Sequence, residues 1–478
     1  MNQTRTLRIA TVVGLIVVVG AFYLLTLRPG HDWGGDFALY VMHARSIVEG
    51  TGYTDTPWIY NPDDPGLSPR AYPPVFPLLL APVLAVTGVD LDALKIVPLL
   101  SLLASLLAIY ALARQRTGHL RALAVAALFG LNPYVWHFSN GVKPDLTFVL
   151  FIYATFALWG AVQDRWQSGA APGLAAAAGL TAYLAYGTRS VGMLLVAGMA
   201  AALLSRARRP RDLAVALVAF AVPAAIQAAL ISVVGSYGDV FVLSWDVILR
   251  NLETYPTVIA ALFDNGRWEP PTLALTVATC LLALVGYARR VRESPSALEV
   301  FLPLYLGTVI IWPYYLARLL VPVIPALLLY AVEGADRLTR DRRPWLQAGL
   351  VALTLGSYAS KYETVDMGPV QEGVMLPSSQ QLFAFARAEG PPDAVWAFCK
   401  PRPLALLTGR RSISWTPKAT DAEQWAALDG AGVRYVVIAV WSQRDMQELA
   451  PFVLRNRHRF RPVFQNEQLA VMQVLPPR

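Results

Sequence analysis

The sequence predicts an α-helical polytopic membrane protein with a small α/β domain after its last span. Three observations carry this. Only 15% of the 478 residues are charged while 55% are hydrophobic, where a soluble domain carries roughly 25% charged residues. Apolar runs of spanning length recur from residue 8 to about residue 360. The arginines gather in alternate short loops between those runs, the positive-inside signature. That distribution also disposes of nucleic acid as the reason for the formal charge of +8.

Residues 8–27 follow Arg5 and Arg8 and are long enough to cross. No small-residue cleavage site succeeds them, so they read as a signal anchor with a cytoplasmic N-terminus. Tyr72–Thr87 is apolar but short, and Pro73, Pro74, Pro77 and Pro82 interrupt it. It is expected to be an interfacial or re-entrant piece rather than a span. Further spans are expected at roughly 92–113, 120–137, 145–163, 171–187, 190–204, 212–235, 271–288, 297–313, 317–334 and 344–360. With Tyr72–Thr87 not crossing, the Arg-bearing loops at 114–121, 205–211, 289–292 and 337–343 all face the cytoplasm; counting it as a span would put them all outside. The result is about eleven spans, N-terminus in, C-terminus out.

The expected organisation is a transmembrane domain over 1–360, with outer loops at 28–88 and 236–270, and a soluble extracytoplasmic domain over 361–478. In that last part, Val433–Val440 is β-rich and helical patterns flank it at Glu423–Leu428 and Asp445–Leu454. Arg455, Arg457, Arg459 and Arg461 alternate, so an extended strand would place all four on one face, for a solvated edge or for an anionic ligand.

The first outer loop opens Gly34-Gly35-Asp36, with Asp36 where an N-cap would sit. Phe37, Tyr40, Val41, Ala44, Ile47 and Val48 follow at helical spacing, and Gly50 and Gly52 stop the helix. The pattern predicts an amphipathic helix lying in the membrane interface. Capping alone accounts for Asp36, at about 1 kcal/mol. The alternative is a carboxylate that takes a proton from an acceptor hydroxyl or amine in a partly dehydrated cleft. Tyr40 and His43 share its face and are placed to orient it or to line that cleft, although a structural role suits His43 at least as well.

These residues, Asp36…Tyr40…Ala44-Arg45…Glu49-Gly50-Thr51-Gly52-Tyr53 and then Tyr72-Pro73-Pro74…Pro77-Leu78-Leu79-Leu80-Ala81-Pro82, resemble the GT-C membrane glycosyltransferases. The branch is that of the protein O-mannosyltransferases and the lipid A aminoarabinose transferase. The resemblance extends to the order of features across residues 8–360 and the outward-facing tail. It implies a polyprenyl-phosphate-linked sugar donor, and it makes Asp36 the match to the family's essential acidic residue at the start of the first-loop helix. Many members have Asp-Glu there; this chain has Asp36-Phe37 and so no second adjacent carboxylate. Tyr72 joins the candidate binding residues on the same basis.

Pro144 and Asp145 suit the first turn of a helix, where a carboxylate meets the positive dipole end. The resemblance also implies an acidic residue facing the cleft there, making Asp145 the second candidate carboxylate. Lys143, Arg189 and Arg318 fall near the outer membrane surface among apolar residues. A cation there is costly unless paired or snorkelled, which makes interfacial anchoring one reading and contact with a phosphate leaving group the other. The family pattern of an Arg followed by spaced prolines adds weight to Arg318, which precedes Pro322 and Pro325.

The function expected is transfer of a sugar from a polyprenyl-phosphate donor to an extracytoplasmic glycan, lipid or protein, with inversion and with Asp36 as general base. No Gly-rich phosphate loop or zinc motif is present, so the sequence names no cofactor or metal site and leaves a divalent cation open. The rival readings are a lipid or glycan transporter, supported by the span count and opposed by the scarcity of mid-span charge, and a non-catalytic cell-envelope assembly protein.

Overall fold

A computed structural model describes residues 2–67, 69–166, 168–201, 209–231, 243–293, 295–339 and 344–476. Residues 205–208, 236–242 and 340–343 of the loops named above lie outside the described residues. In chain order the helices begin with α1 (Asn2–Leu25), α2 (Gly35–Glu49), α3 (Val75–Thr87), α4 (Leu91–Leu94), α5 (Ile96–Arg116), α6 (His119–Gly130), α7 (Pro133–Ser139) and α8 (Asp145–Arg165). There follow α9 (Pro172–Tyr186), α10 (Leu194–Ala200), α11 (Pro210–Leu230), α12 (Trp245–Ala261), α13 (Glu269–Glu293), α14 (Ala297–Ile311), α15 (Ile324–Thr339) and α16 (Pro344–Tyr362). The last are α17 (Pro377–Ala388), α18 (Pro401–Thr408), α19 (Asp421–Gly430) and α20 (Ala450–Arg455).

The chain divides into two compact units. The first comprises Met1–Leu27, Lys95–Leu230 and Phe241–Met367 and is helical. Among the described residues, six segments are long and apolar enough to cross a membrane: Arg5–Leu25, Leu91–Arg116, Asp145–Arg165, Pro210–Leu230, Glu269–Glu293 and Ala317–Leu338. Of the other expected spans, 344–360 is covered in full by α16, α9 and α14 are shorter than expected, and 120–137 is broken. The segment expected at 120–137 divides into α6 and α7, because Asn132 Oδ1 caps the Tyr134 amide at 2.8 Å and Pro133 cannot continue a helix from its N-terminal side. Within this unit Ser101 bonds Thr147 at 2.8 Å and Gln115 Nε2 donates to the Ala157 carbonyl at 2.8 Å, which sets α5 and α8 parallel.

In α12, Trp245, Leu249 and Leu252 are exposed along one face while Asn251, Tyr255 and Val258 are buried. Asn251 Nδ2 anchors the buried face to the Ile310 and Trp312 carbonyls, both at 2.8 Å. This is the amphipathic character expected of residues 36–49. Those residues instead form a helix whose first two turns are enclosed: Phe37 to Ala44 are buried without a break, α3 and α18 pack against α2, and only Val48 and Glu49 at its end are exposed.

The second unit joins Arg28–Leu94 to Gly368–Arg478. Its sheet consists of β1 (Val395–Ala397), β2 (Ser412–Ile413), β3 (Val433–Ala439), β4 (Phe460–Gln465) and β5 (Leu469–Val474), in the order β2-β1-β3-β5-β4. The β2-β1-β3 pairs are parallel and the β3-β5-β4 pairs antiparallel. Both faces of β3 are covered, so it reads as a nearly continuous buried run. The first loop reaches this sheet: Ser412 donates to the Pro57 carbonyl at 3.0 Å and accepts from Ile59 at 2.8 Å, extending the β2 edge. The four alternating arginines do not share a strand. Arg455 closes α20, Arg457 and Arg459 lie in a 3-10 turn, and only Arg461 is in β4. Arg455 is held by Asp421 and Arg459 by Asp429 and the Trp425 ring, so local pairing overrides the alternation.

Candidate active site

In the second unit α2 starts two residues earlier than the sequence suggests. Gly34 occupies the N-cap position without a side-chain bond, and its amide is held by Asp32 Oδ1 at 2.9 Å. Asp36 is therefore not the cap; it lies in the first turn. Its carboxylate is committed elsewhere: Tyr72 Oη donates to Oδ1 at 2.7 Å, and Arg402 Nη1 stands 3.5 Å from the same oxygen. The side chain keeps 27% exposure, while that of Arg402 keeps 2%.

Tyr72 is fixed at every polar atom. Its amide donates to His43 Nε2 at 3.3 Å, its carbonyl accepts from Tyr53 Oη at 2.9 Å, and its hydroxyl meets Asp36. Tyr40 stacks on its ring at 4.3 Å between centroids and 17° between planes, an arrangement that adds order beyond simple burial. His43 is almost wholly buried, and its Nδ1 bonds the Tyr53 carbonyl at 2.8 Å. Burial lowers its pKa from 6.5 to about 4; the Tyr53 bond opposes this and the nearby Arg402 charge reinforces it. The neutral ring donates from Nδ1 and accepts at Nε2, so both nitrogens are spent on backbone. That geometry gives His43 the work of a strut behind Tyr72 and leaves no ring atom for a substrate.

Arg402 was not singled out in the sequence, yet a signal exists. It lies in the first turn of α18, between Pro401 and Pro403, where a cation opposes the helix dipole. A buried guanidinium in that place requires an anionic partner.

In the first unit Asp145 opens α8, with Arg189 Nη2 at 3.2 Å from Oδ1. The carboxylate is 1% exposed, and neither oxygen accepts an aligned hydrogen bond among the described residues. The pair is thus one of charge proximity, not of hydrogen-bond geometry. Tyr134 and Tyr305 lie within electrostatic range of Asp145, and Tyr305 Oη donates to the Leu319 carbonyl at 2.8 Å in the 3-10 turn Ala317–Val323 that carries Arg318. Lys143 and Arg318 are both half-buried. Asp36, Tyr40, His43 and Tyr72 thus form one cluster, and Asp145 and Arg189 another. The 3-10 turn and the tyrosines were invisible in the sequence, because apolar runs conceal which tyrosine hydroxyl turns inward. An apolar cavity of about 730 Å³ between α6, α15 and α16 is lined by none of these residues. No cluster of three or more His, Cys, Asp or Glu placed to hold a metal occurs among the described residues.

The fold has known counterparts. Residues 71–237 match the family model described as dolichyl-phosphate-mannose-protein mannosyltransferase. ArnT from Cupriavidus metallidurans bound to undecaprenyl phosphate superposes with a TM-score of 0.59 at 14% identity, over 98% of this chain and 99% of that one. This is the GT-C fold. The apo state of the same ArnT gives a TM-score of 0.61 over 99% of this chain and 100% of that one, again at 14% identity. The archaeal oligosaccharyltransferase AglB from Archaeoglobus fulgidus, in complex with an inhibitory peptide and a dolichol-phosphate, gives 0.58 at 13% identity, over 90% of this chain and 69% of that one. No functionally curated protein matches the chain by sequence. The resemblance drawn from Asp36 to Pro82 is borne out by the family model and by the GT-C fold, with the small sheet domain at the C-terminus.

Proposed function

We propose that the protein is a membrane glycosyltransferase that moves a sugar from a polyprenyl-phosphate donor to an extracytoplasmic glycan, lipid or protein acceptor. The observation that carries this reading is the partly exposed Asp36 carboxylate on a GT-C fold, oriented by a tyrosine whose every polar atom is fixed. In the reaction, Asp36 takes the proton of the acceptor hydroxyl or amine as that atom bonds to the anomeric carbon. The bond between that carbon and the phosphate oxygen breaks, and the polyprenyl phosphate leaves with the electron pair. Attack from the face opposite the leaving group inverts the anomeric centre. Arg189, Arg318 and Lys143 meet the phosphate and stabilise the charge that builds on it, with Asp145 setting the position of Arg189. The positive-inside pattern supports a cytoplasmic N-terminus and an extracytoplasmic Gly368–Arg478 region.

Purified protein in detergent, given labelled polyprenyl-phosphate sugars and a panel of acceptors, is expected to transfer sugar. Asp36→Asn should lower kcat on the order of 10²-fold or more, the usual contribution of a positioned base. Wild-type turnover that persists undiminished in Asp36→Asn would remove Asp36 from the chemistry. Absence of transfer together with substrate flux in vesicles would replace the enzyme by a transporter.

A further inference from the structure

We propose that Arg402 is a positioning residue for the Asp36 carboxylate, acting through Tyr72, so that the C-terminal part of the chain supplies a member of the catalytic constellation. The inference rests on the reading of Asp36 as the base, and it extends that reading to a residue far away in sequence.

Arg402 is seated for one orientation. Its Nη2 donates to the Leu67 carbonyl and, at 3.2 Å, to that of Pro69, while its guanidinium lies over the Trp58 ring at 4.2 Å. These contacts tie it to the first loop and point Nη1 toward Tyr72 Oη at 3.3 Å. The Tyr72 hydroxyl has a single proton. With Arg402 donating to its oxygen, that proton is left to donate to Asp36 Oδ1, 2.7 Å away. The relay Arg402 to Tyr72 to Asp36 thus has one direction only. Arg402 also stands 3.5 Å from Oδ1 itself, beyond a short charge-assisted bond. It therefore holds the carboxylate in place without capping it as a tight bidentate partner would.

A purely structural arginine would serve as well if it only tied Leu67 and Pro69. The fork geometry distinguishes the two roles. The planar guanidinium reaches two carbonyls with one nitrogen and the phenol with another, which a lysine ammonium, a compact point charge, does not reproduce. Arg402→Lys keeps the charge and loses the fork.

The test measures kcat, donor KM and melting temperature for wild type, Arg402→Lys, Arg402→Ala, Asp36→Asn and the Asp36→Asn/Arg402→Ala double variant. Guanidinium ion is added to the alanine variants. The expected result is a fall in kcat of at least about tenfold for Arg402→Lys, with donor KM within about twofold, and partial recovery of Arg402→Ala by guanidinium. The double variant is expected to be no slower than Asp36→Asn alone, because a positioning group has nothing to position once its target is gone. Full kcat in Arg402→Lys, or an Arg402→Ala loss that is equally large in the Asp36→Asn background, would overturn the assignment while leaving the glycosyltransferase reading intact. If Arg402→Ala does not fold, the lysine variant and its KM-against-kcat split decide the matter alone. A wild type without transfer overturns both readings.

Discussion

At one end of α8, Asp145 and Arg189 meet as an ion pair; at the other end, where α5 closes and α14 begins, Arg116 meets Glu299. Burial is nearly the same, with side-chain exposures of 1% and 13% for the first pair and 1% and 8% for the second. The surroundings are not. Glu299 accepts from Arg116 Nη1 at 2.8 Å and Tyr330 Oη at 2.6 Å on one oxygen. The other accepts from the Ser296 amide at 2.7 Å, the Ser296 hydroxyl at 2.5 Å and Arg116 Nη2 at 3.4 Å. Asp145 accepts no aligned hydrogen bond among the described residues. Taking a carboxylate out of water costs several kcal/mol unless hydrogen bonds and charge offset it. The Glu299 site makes that offset within the protein. The Asp145 site leaves it incomplete.

The contrast is open to attack from both sides. The largest effect is expected for Glu299→Ala, which strands Arg116 and should lower stability by about 3–5 kcal/mol while kcat per folded molecule stays unchanged. Denaturation and turnover measured on the same preparation check this, and a matching loss of kcat would end the structural assignment.

His43 carries the comparison into the other unit, because it too is buried and fully bonded. Unfolded, it binds a proton below about pH 6.5; folded, only below about 4. Unfolding therefore takes up a proton in that window. Stability should be constant above pH 6.5 and fall as pH drops toward 4, by about 3 kcal/mol at most. His43→Gln should flatten that slope in a series of melting temperatures against pH.

Asp145→Asn is expected to lower turnover on the order of 10²-fold, about 2.7 kcal/mol in barrier, with a smaller drop in melting temperature than Glu299→Ala shows. Equal drops in the two variants would erase the distinction between them. The smallest effect is expected at an exposed but satisfied site. Thr420 and Glu423 form a capping box on α19, with the Thr420 amide and hydroxyl both 2.8 Å from Glu423 Oε2. Thr420→Ala should cost about 1 kcal/mol by chemical denaturation and leave kcat alone.

Hydropathy made the long helices legible, because a bilayer span is a local property of about 20 residues. β3 and its flanking helices were legible for the same kind of reason, since a buried parallel strand is a short unbroken apolar run. The helical unit was misread where two apolar pieces meet at Asn132-Pro133, since hydropathy continues through a break that only capping and proline chemistry create. α2 was misread because helical spacing of apolar residues does not reveal that both sides of its first two turns, Phe37 to Ala44, are covered.

By itself the sequence determined most of the long apolar helices, where the charge lies, and that Asp36 follows a pair of glycines at the head of a helix. It did not determine what Asp36 touches. That was decided by the tertiary structure, which brings Tyr72 from 36 residues away and lays Arg402, 330 residues beyond Tyr72, behind it. The reason is physical. Helix and strand formation are governed by neighbours in sequence, whereas a buried guanidinium and carboxylate find their partners by packing, which has no local pattern.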